Sequence, residues 1–225
     1  MEEAEEKEVH LEEISITEVP IKSVGDVFLS TIELLNKTPD LMQKCYYDIV
    51  RVSIKYPPQK NENKFIYGKL IERVLIRTIR QVGIEIVDLD EAHTMGSEYK
   101  NDIRMFDIDI SIKAKLNKGG NIILINKKSK SEHIIKIQTI VCIINERKLY
   151  FIPSDIVDNE LFVIQDAGCI SYKGTLITMM NKKYNQFIYE FPELNEEYKN
   201  KLKNVTQIDI YTMLLNELDE LCDII

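Results

Sequence analysis

The chain has 225 residues, 44% of them hydrophobic and 29% charged, which is enough apolar material to bury a proper core. No run of about 18 apolar residues is present to span a bilayer, and a formal net charge of −8 argues against a general affinity for nucleic acid. Four scattered cysteines (45, 142, 169 and 222) and three dispersed histidines (10, 93 and 133) argue against a zinc site; the thiols fit small buried hydrophobes in a reducing, cytoplasmic compartment.

Residues 1–20 hold eight Glu against one Lys and have little apolar periodicity, so a flexible acidic arm ending near Pro20 is expected. It is acidic and lacks an apolar stretch, unlike a secretory leader. Residues 21–57 form a helical N-terminal segment. Val27, Phe28, Ile32 and Leu35 recur at helical spacing, Thr38-Pro39-Asp40 marks a break, and Leu41, Met42, Cys45, Tyr46, Ile49 and Val50 define a second helix. Pro57 to Asn63 reads as an exposed connector.

The clearest helix runs from Phe65 to Gln81, with Leu70, Ile71, Val74, Leu75 and Ile79 in its apolar stripe and Gly83 in a C-cap position. Glu72 lies beside the stripe. A short strand, Ile84 to Val87, and a long polar loop, Asp88 to Asp102, follow. From Met105 to Glu190 the pattern has mostly period two. It predicts strands at Met105–Lys115, Asn121–Lys128, Ile134–Ile144, Leu149–Ile152, Glu160–Gln165, Thr175–Met180 and Phe187–Tyr189. Two helices, Leu194–Leu202 and Thr206–Cys222, close a C-terminal segment, 191–225. The class is α+β, a mixed or antiparallel sheet core at 65–190 flanked by helices.

Charge is unevenly spread. Residues 101–150 hold ten basic and five acidic side chains, whereas residues 151–225 hold six and thirteen. Only the first of these segments can present a cationic face to phosphates. Within it, Lys118-Gly119-Gly120-Asn121 predicts a tight turn, hence one β-hairpin from Met105 to Lys130. Alternation puts Asp107, Asp109 and Ser111 on one face of its first strand, and Asn126 and Lys128 on one face of its second. With the turn at Lys118-Gly119, Asp109 faces Lys128 and Ser111 faces Asn126. Two carboxylates, an amide oxygen and an ammonium on adjacent strands suit Mg²⁺, usually held by one or two carboxylates plus water and phosphate.

Gly68 followed by Glu72 on a helix, then a strand, then Asp109 on a hairpin strand, then Ile125-Asn126-Lys127-Lys128-Ser129 entering the next strand, resembles the PD-(D/E)xK nuclease superfamily. Type II restriction endonucleases are its best-known members. The resemblance covers roughly Phe65 to Ile144. It implies a restriction-endonuclease-like core and Mg²⁺-dependent hydrolysis of duplex DNA, with a homodimer to cut both strands. Asp109, Asn126, Lys128 and Glu72 would be catalytic, and Asp109, Asp107 and Asn126 would hold the metal. Lys113, Lys115, Lys127 and Lys130 would contact DNA. Asn126 stands where an acid is usual, removing one negative charge, with Asp107 placed to compensate.

Other readings stay open at this point. Asp107 and Asp109 opposite lysines also describe ordinary cross-strand ion pairs, worth roughly a few tenths of a kcal/mol each. Glu72 also fits a solvated helix residue. A catalytically inactive binding or assembly protein of viral or plasmid origin is then the alternative, supported by the acidic pI near 5.1 and by Asn126 in the place of an acid. A single-strand nucleic-acid binder lacks the interleaved basic and aromatic residues it needs.

Overall fold

The computed structural model describes residues 23–57, 63–89, 102–125, 137–164 and 170–207. Helix α1 (Val24–Lys37) is capped by Ser23, whose side chain accepts from the Asp26 amide. Thr38 breaks the chain, and Pro39 opens α2 (Pro39–Lys55), where its missing N–H costs nothing. Helix α3 (Asn63–Gln81) stops at Gly83, whose φ of 95° lets Ile84 donate back to the Ile79 carbonyl and Gly83 to that of Arg80.

The main sheet follows. Strands β1 (Ile86–Asp88), β2 (Ile103–Met105) and β3 (Ile108–Lys115) each run antiparallel to the next. After an excursion through β4 (Ile122–Ile125), β5 (Gln138–Ile143) returns parallel to β3. Then β6 (Lys148–Ile152) and, later, β9 (Ile188–Glu190) extend the sheet antiparallel, giving the order β1-β2-β3-β5-β6-β9. A second sheet has β4 beside β8 (Ile170–Tyr172), and β8 beside β7 (Phe162–Ile164). Helix α4 (Thr175–Lys183) precedes β9, and α5 (Glu196–Lys203) follows it.

Register partners share a face, so Met105, Ile110, Ile112, Ile140 and Phe151 line one side of the main sheet. Helix α1 covers it: Phe28 meets Phe151 edge-on, and Thr31 lies against the Met105 sulfur. From α2, Tyr46 donates to the Ile144 carbonyl and stacks on Phe191. The opposite side carries Ser111, Thr139 and Tyr150. There α4 reaches Tyr150 through Asn181, and the small sheet docks through Tyr172, which donates to the Ile137 carbonyl. Buried side chains of α1 to α4 and both sheets form one cluster, so residues 23–57 belong to the core. This is an α+β fold with a mixed sheet between helices. Among the described residues no helix is long and apolar enough to cross a membrane.

Three expectations need correction. Met105–Lys115 is not one strand: Phe106 and Asp107 take φ of 48° and 61° and make a tight turn between β2 and β3. The Met105–Lys130 hairpin does not form. A strand has two hydrogen-bonding edges, and those of β3 are taken by β2 and β5, while β4 pairs with β8. The glycine turn is real, with Gly120 at φ 73°, but it sends the chain into the second sheet. Thr175–Met180 is helical because Leu176, Ile177 and Met180 bury one helical face, although Thr175, Ile177 and Thr178 favour a strand by β-branching. Strand β8 was not expected at all. The acidic arm, most of the polar loop before Asp102 and residues 208–225 of the last expected helix lie outside the described residues.

Candidate active site at the head of the β2–β3 hairpin

Asp102 immediately precedes β2. Its amide donates to the Ile110 carbonyl, continuing the β2–β3 ladder by one rung. One rung further its own carboxylate replaces the main-chain acceptor: Oδ2 accepts from the Ile112 amide at 2.6 Å and from Ser111 Oγ at 2.9 Å. Lys113 Nζ lies 3.5 Å from the same oxygen. Strand alternation explains the grouping, since Ser111 and Lys113 leave one face of β3 while Ile112 enters the core between them.

Helix α3 supplies the other half. It packs on β1 and β3, and Lys69 and Glu72, three residues apart, share one side of it. Lys69 Nζ is 3.0 and 3.1 Å from the two Glu72 oxygens and 3.7 Å from Asp102 Oδ1. The side chains of Glu72 and Asp102 are only 8% and 13% exposed. Two carboxylates from separate elements thus share one ammonium, and a second ammonium stands on the far side of Asp102. At such distances an ion pair gains about 4 kcal/mol at an effective dielectric of 20, before desolvation is subtracted. Buried ions of this kind are costly unless every partner is in place.

The other expected site residues fall elsewhere. Asp109 faces its register partner Arg104, with Nε to Oδ1 at 2.6 Å and Nη2 to Oδ2 at 3.3 Å, as a cross-strand ion pair. Asp107 sits exposed in the turn. Lys113 joins the cluster. Lys115 donates to the carbonyls of Gly119, Gly120 and Asn121, closing the turn behind β3, and burial lowers its pKa. Asn126, Lys127, Lys128 and Lys130 lie outside the described residues. Gln138 is held by Ser154, donating to its Oγ and accepting from its amide.

Asp102, Ser111 and Lys69 were missed. The available signal was the Ser111-Ile112-Lys113 parity together with an Asp nine residues upstream. That signal is obscured because Asp102 closes a polar stretch that reads as a loop. Among the described residues no three acidic, His or Cys side chains are grouped to hold a metal. Two carboxylates and a hydroxyl remain, and they match the modest protein contribution that Mg²⁺ requires.

A second polar region lies at the far end of β3, where Lys118, Lys148 and Lys182 surround a cleft of about 460 Å³ with Glu146 and Glu190. Both carboxylates there are occupied. Glu146 accepts from Tyr150 and pairs with Lys118, and Glu190 pairs with Arg147. Compared with known proteins, the chain matches no family model, no curated protein and no solved structure.

Proposed function

We propose that the protein is a Mg²⁺-dependent phosphodiester hydrolase acting on duplex DNA, with Glu72, Asp102 and Lys113 as its working residues. The observation that carries this reading is the convergence of those three side chains from α3, the head of β2 and β3. The order of elements adds support for a restriction-endonuclease-like core: a helix bearing Glu72, a strand, a hairpin headed by Asp102, then a parallel neighbour for β3. In this reading Asp102 takes the role that the sequence assigned to Asp109. Ser111 stands where Asn126 was placed, and Lys113 where Lys128 was.

Glu72 and Asp102 are the carboxylates that would hold the ion. Bound Mg²⁺ would acidify the attacking water and offset charge developing on the phosphate. Ser111 Oγ and the Ile112 amide fix the Asp102 carboxylate, so its orientation is set by the strand. Lys113 lies where an ammonium can orient the attacking water and stabilise the crowded phosphorus centre. Ser111 in place of a second strand acid leaves the site with two negative charges rather than three. The basic segment at 101–150 is the surface that would meet the backbone, and a homodimer would cut both strands.

The test is incubation of plasmid DNA with Mg²⁺ and full-length protein. Cleavage by the parent chain, abolished in Asp102→Ala and Lys113→Ala but retained in Asp109→Ala, supports the assignment. Loss in Asp109→Ala alone would return the site to that residue. One observation favours the second reading, an inactive binding or assembly protein: Lys69 and Lys113 already pair with the two carboxylates. Absence of both cleavage and Mn²⁺ binding would select it.

A further inference from the structure

We propose that Lys69 is an internal counter-cation of this site, one that a divalent ion must displace and that couples metal loading to phosphate binding. The inference rests on the nuclease reading above. Its basis is the position of one atom. Lys69 Nζ lies within 3.1 Å of both Glu72 oxygens and 3.7 Å from Asp102 Oδ1. An Mg²⁺ ion ligated by both carboxylates needs an oxygen from each at about 2.0–2.1 Å. That requirement places the ion in the region the ammonium fills. Ammonium and dication repel strongly at such range, so Lys69 has to leave.

The geometry allows the departure. Lys69 is 31% exposed while Glu72 is 8% exposed, so the ammonium has the readier route to solvent. Its four-carbon stem permits the swing without moving α3. Gly68 precedes it, and among the described residues a Cβ at that position would meet nothing within 4 Å. A displaced ammonium next to a newly placed cation seeks an anion, and the phosphate of a bound strand is one. Lys69 is therefore a positioning residue with two states. In the first it holds Glu72 and Asp102 together in the absence of metal. In the second it rests on phosphate and leaves both carboxylates to the ion. Metal and phosphate then bind with positive coupling, because each relieves the cost that the other meets.

The experiment titrates Mn²⁺ into the full chain by calorimetry, for the parent, Lys69→Met and Lys69→Arg, with and without a duplex oligonucleotide. The metal-free melting temperature is recorded in parallel. Without DNA, Lys69→Met should bind Mn²⁺ at least about tenfold more tightly than the parent. Its metal-free form should melt lower and recover on adding Mn²⁺, whereas Lys69→Arg should stay close to the parent. DNA should tighten Mn²⁺ binding to the parent and have little effect in Lys69→Met. A merely structural lysine would give Lys69→Met weaker Mn²⁺ binding and lower stability together. That pattern, or equal Mn²⁺ affinity in parent and Lys69→Met, overturns the inference and leaves the nuclease reading standing. Absence of Mn²⁺ binding in all three chains overturns both. If Lys69→Met does not fold, Lys69→Gln removes the charge while keeping a hydrogen-bond donor, and the same affinities decide.

Discussion

The middle of β3, beside the head of β2, and the loop behind its C-terminal end carry similar side chains and very different physics. At the head of β2, the largely buried carboxylates of Glu72 and Asp102 share the part-exposed ammonium of Lys69, and Asp102 is reached from both α3 and β3. At the tail, Lys115 is absorbed by three backbone carbonyls, and Lys118 pairs with Glu146 at 68% exposure. The difference is convergence and burial. Lysines and acids at the tail stiffen a turn and solvate a rim, whereas the buried carboxylates at the head depend on the ammonium groups that pair with them. Counting basic residues along 101–150 cannot separate the two.

The largest expected effect separates them by activity. Under the nuclease reading, Lys113→Ala should lower the rate of plasmid cleavage by on the order of a hundredfold or more, the usual size for removing one stabilising donor. Lys115→Ala should leave the rate within a few fold. Equal losses in both would erase the distinction.

Next comes stability. Asp102→Ala leaves Lys113 and the Ile112 amide without their acceptor and should cost roughly 3 kcal/mol in a urea titration. At the tail, Lys118→Ala breaks an exposed pair and should cost under about 1 kcal/mol. A smaller cost for Asp102→Ala than for Lys118→Ala would mean the head is not the strained end.

The tail is held by backbone packing, and Gly174→Ala tests that. A Cβ there would lie 2.8 Å from the Gly120 carbonyl oxygen, so the loop behind β3 must move off α4. About 1–3 kcal/mol of destabilisation is expected, with the head unaffected in Mn²⁺ titrations.

The smallest effect is set by alkaline pH. Burial pushes the Tyr150 phenol, which sits beside the tail and bonds to Asn181 and Glu146, up to about 12, and burial raises Tyr172 to about 12 as well. In the unfolded chain these groups ionise near pH 10. Their contribution is therefore complete below about pH 10 and is lost as pH rises toward 12. Tyrosinate absorbance appearing before any loss of far-UV signal would show that the tail opens on its own.

How much of this was legible depends on the kind of signal. Helical spacing made α1, α2 and α3 readable, and it put Glu72 on the right helix. Period two gave the faces of β3 correctly from Ile108 onward, including Ser111 and Lys113 on the polar side. It says nothing of which strand lies alongside, so β3 was paired with β4 when β5, 22 residues beyond its end, is its neighbour. The Phe106-Asp107 turn was invisible because neither residue is a glycine or asparagine, and alternation continues through it. Asp102 was missed because a side chain that completes a ladder looks, in sequence, like the last residue of a polar loop. In α4, β-branched residues outvoted a nine-residue helical face.

Those chain distances have a kinetic consequence. Two turn residues bring β2 against β3, so Asp102, Ser111 and Lys113 come together through a very short loop. Pairing of β3 with β5 must first close residues 116–137, which carry a strand of the other sheet. Loop-closure entropy favours the short connection. We therefore expect the hairpin half of the site to gain amide protection early in refolding and the β3–β5 ladder later, with pulsed hydrogen exchange at Ile112, whose amide faces β2, and Lys113, whose amide faces β5, as the comparison. Simultaneous protection at both would show that the centre of the sheet condenses in one step.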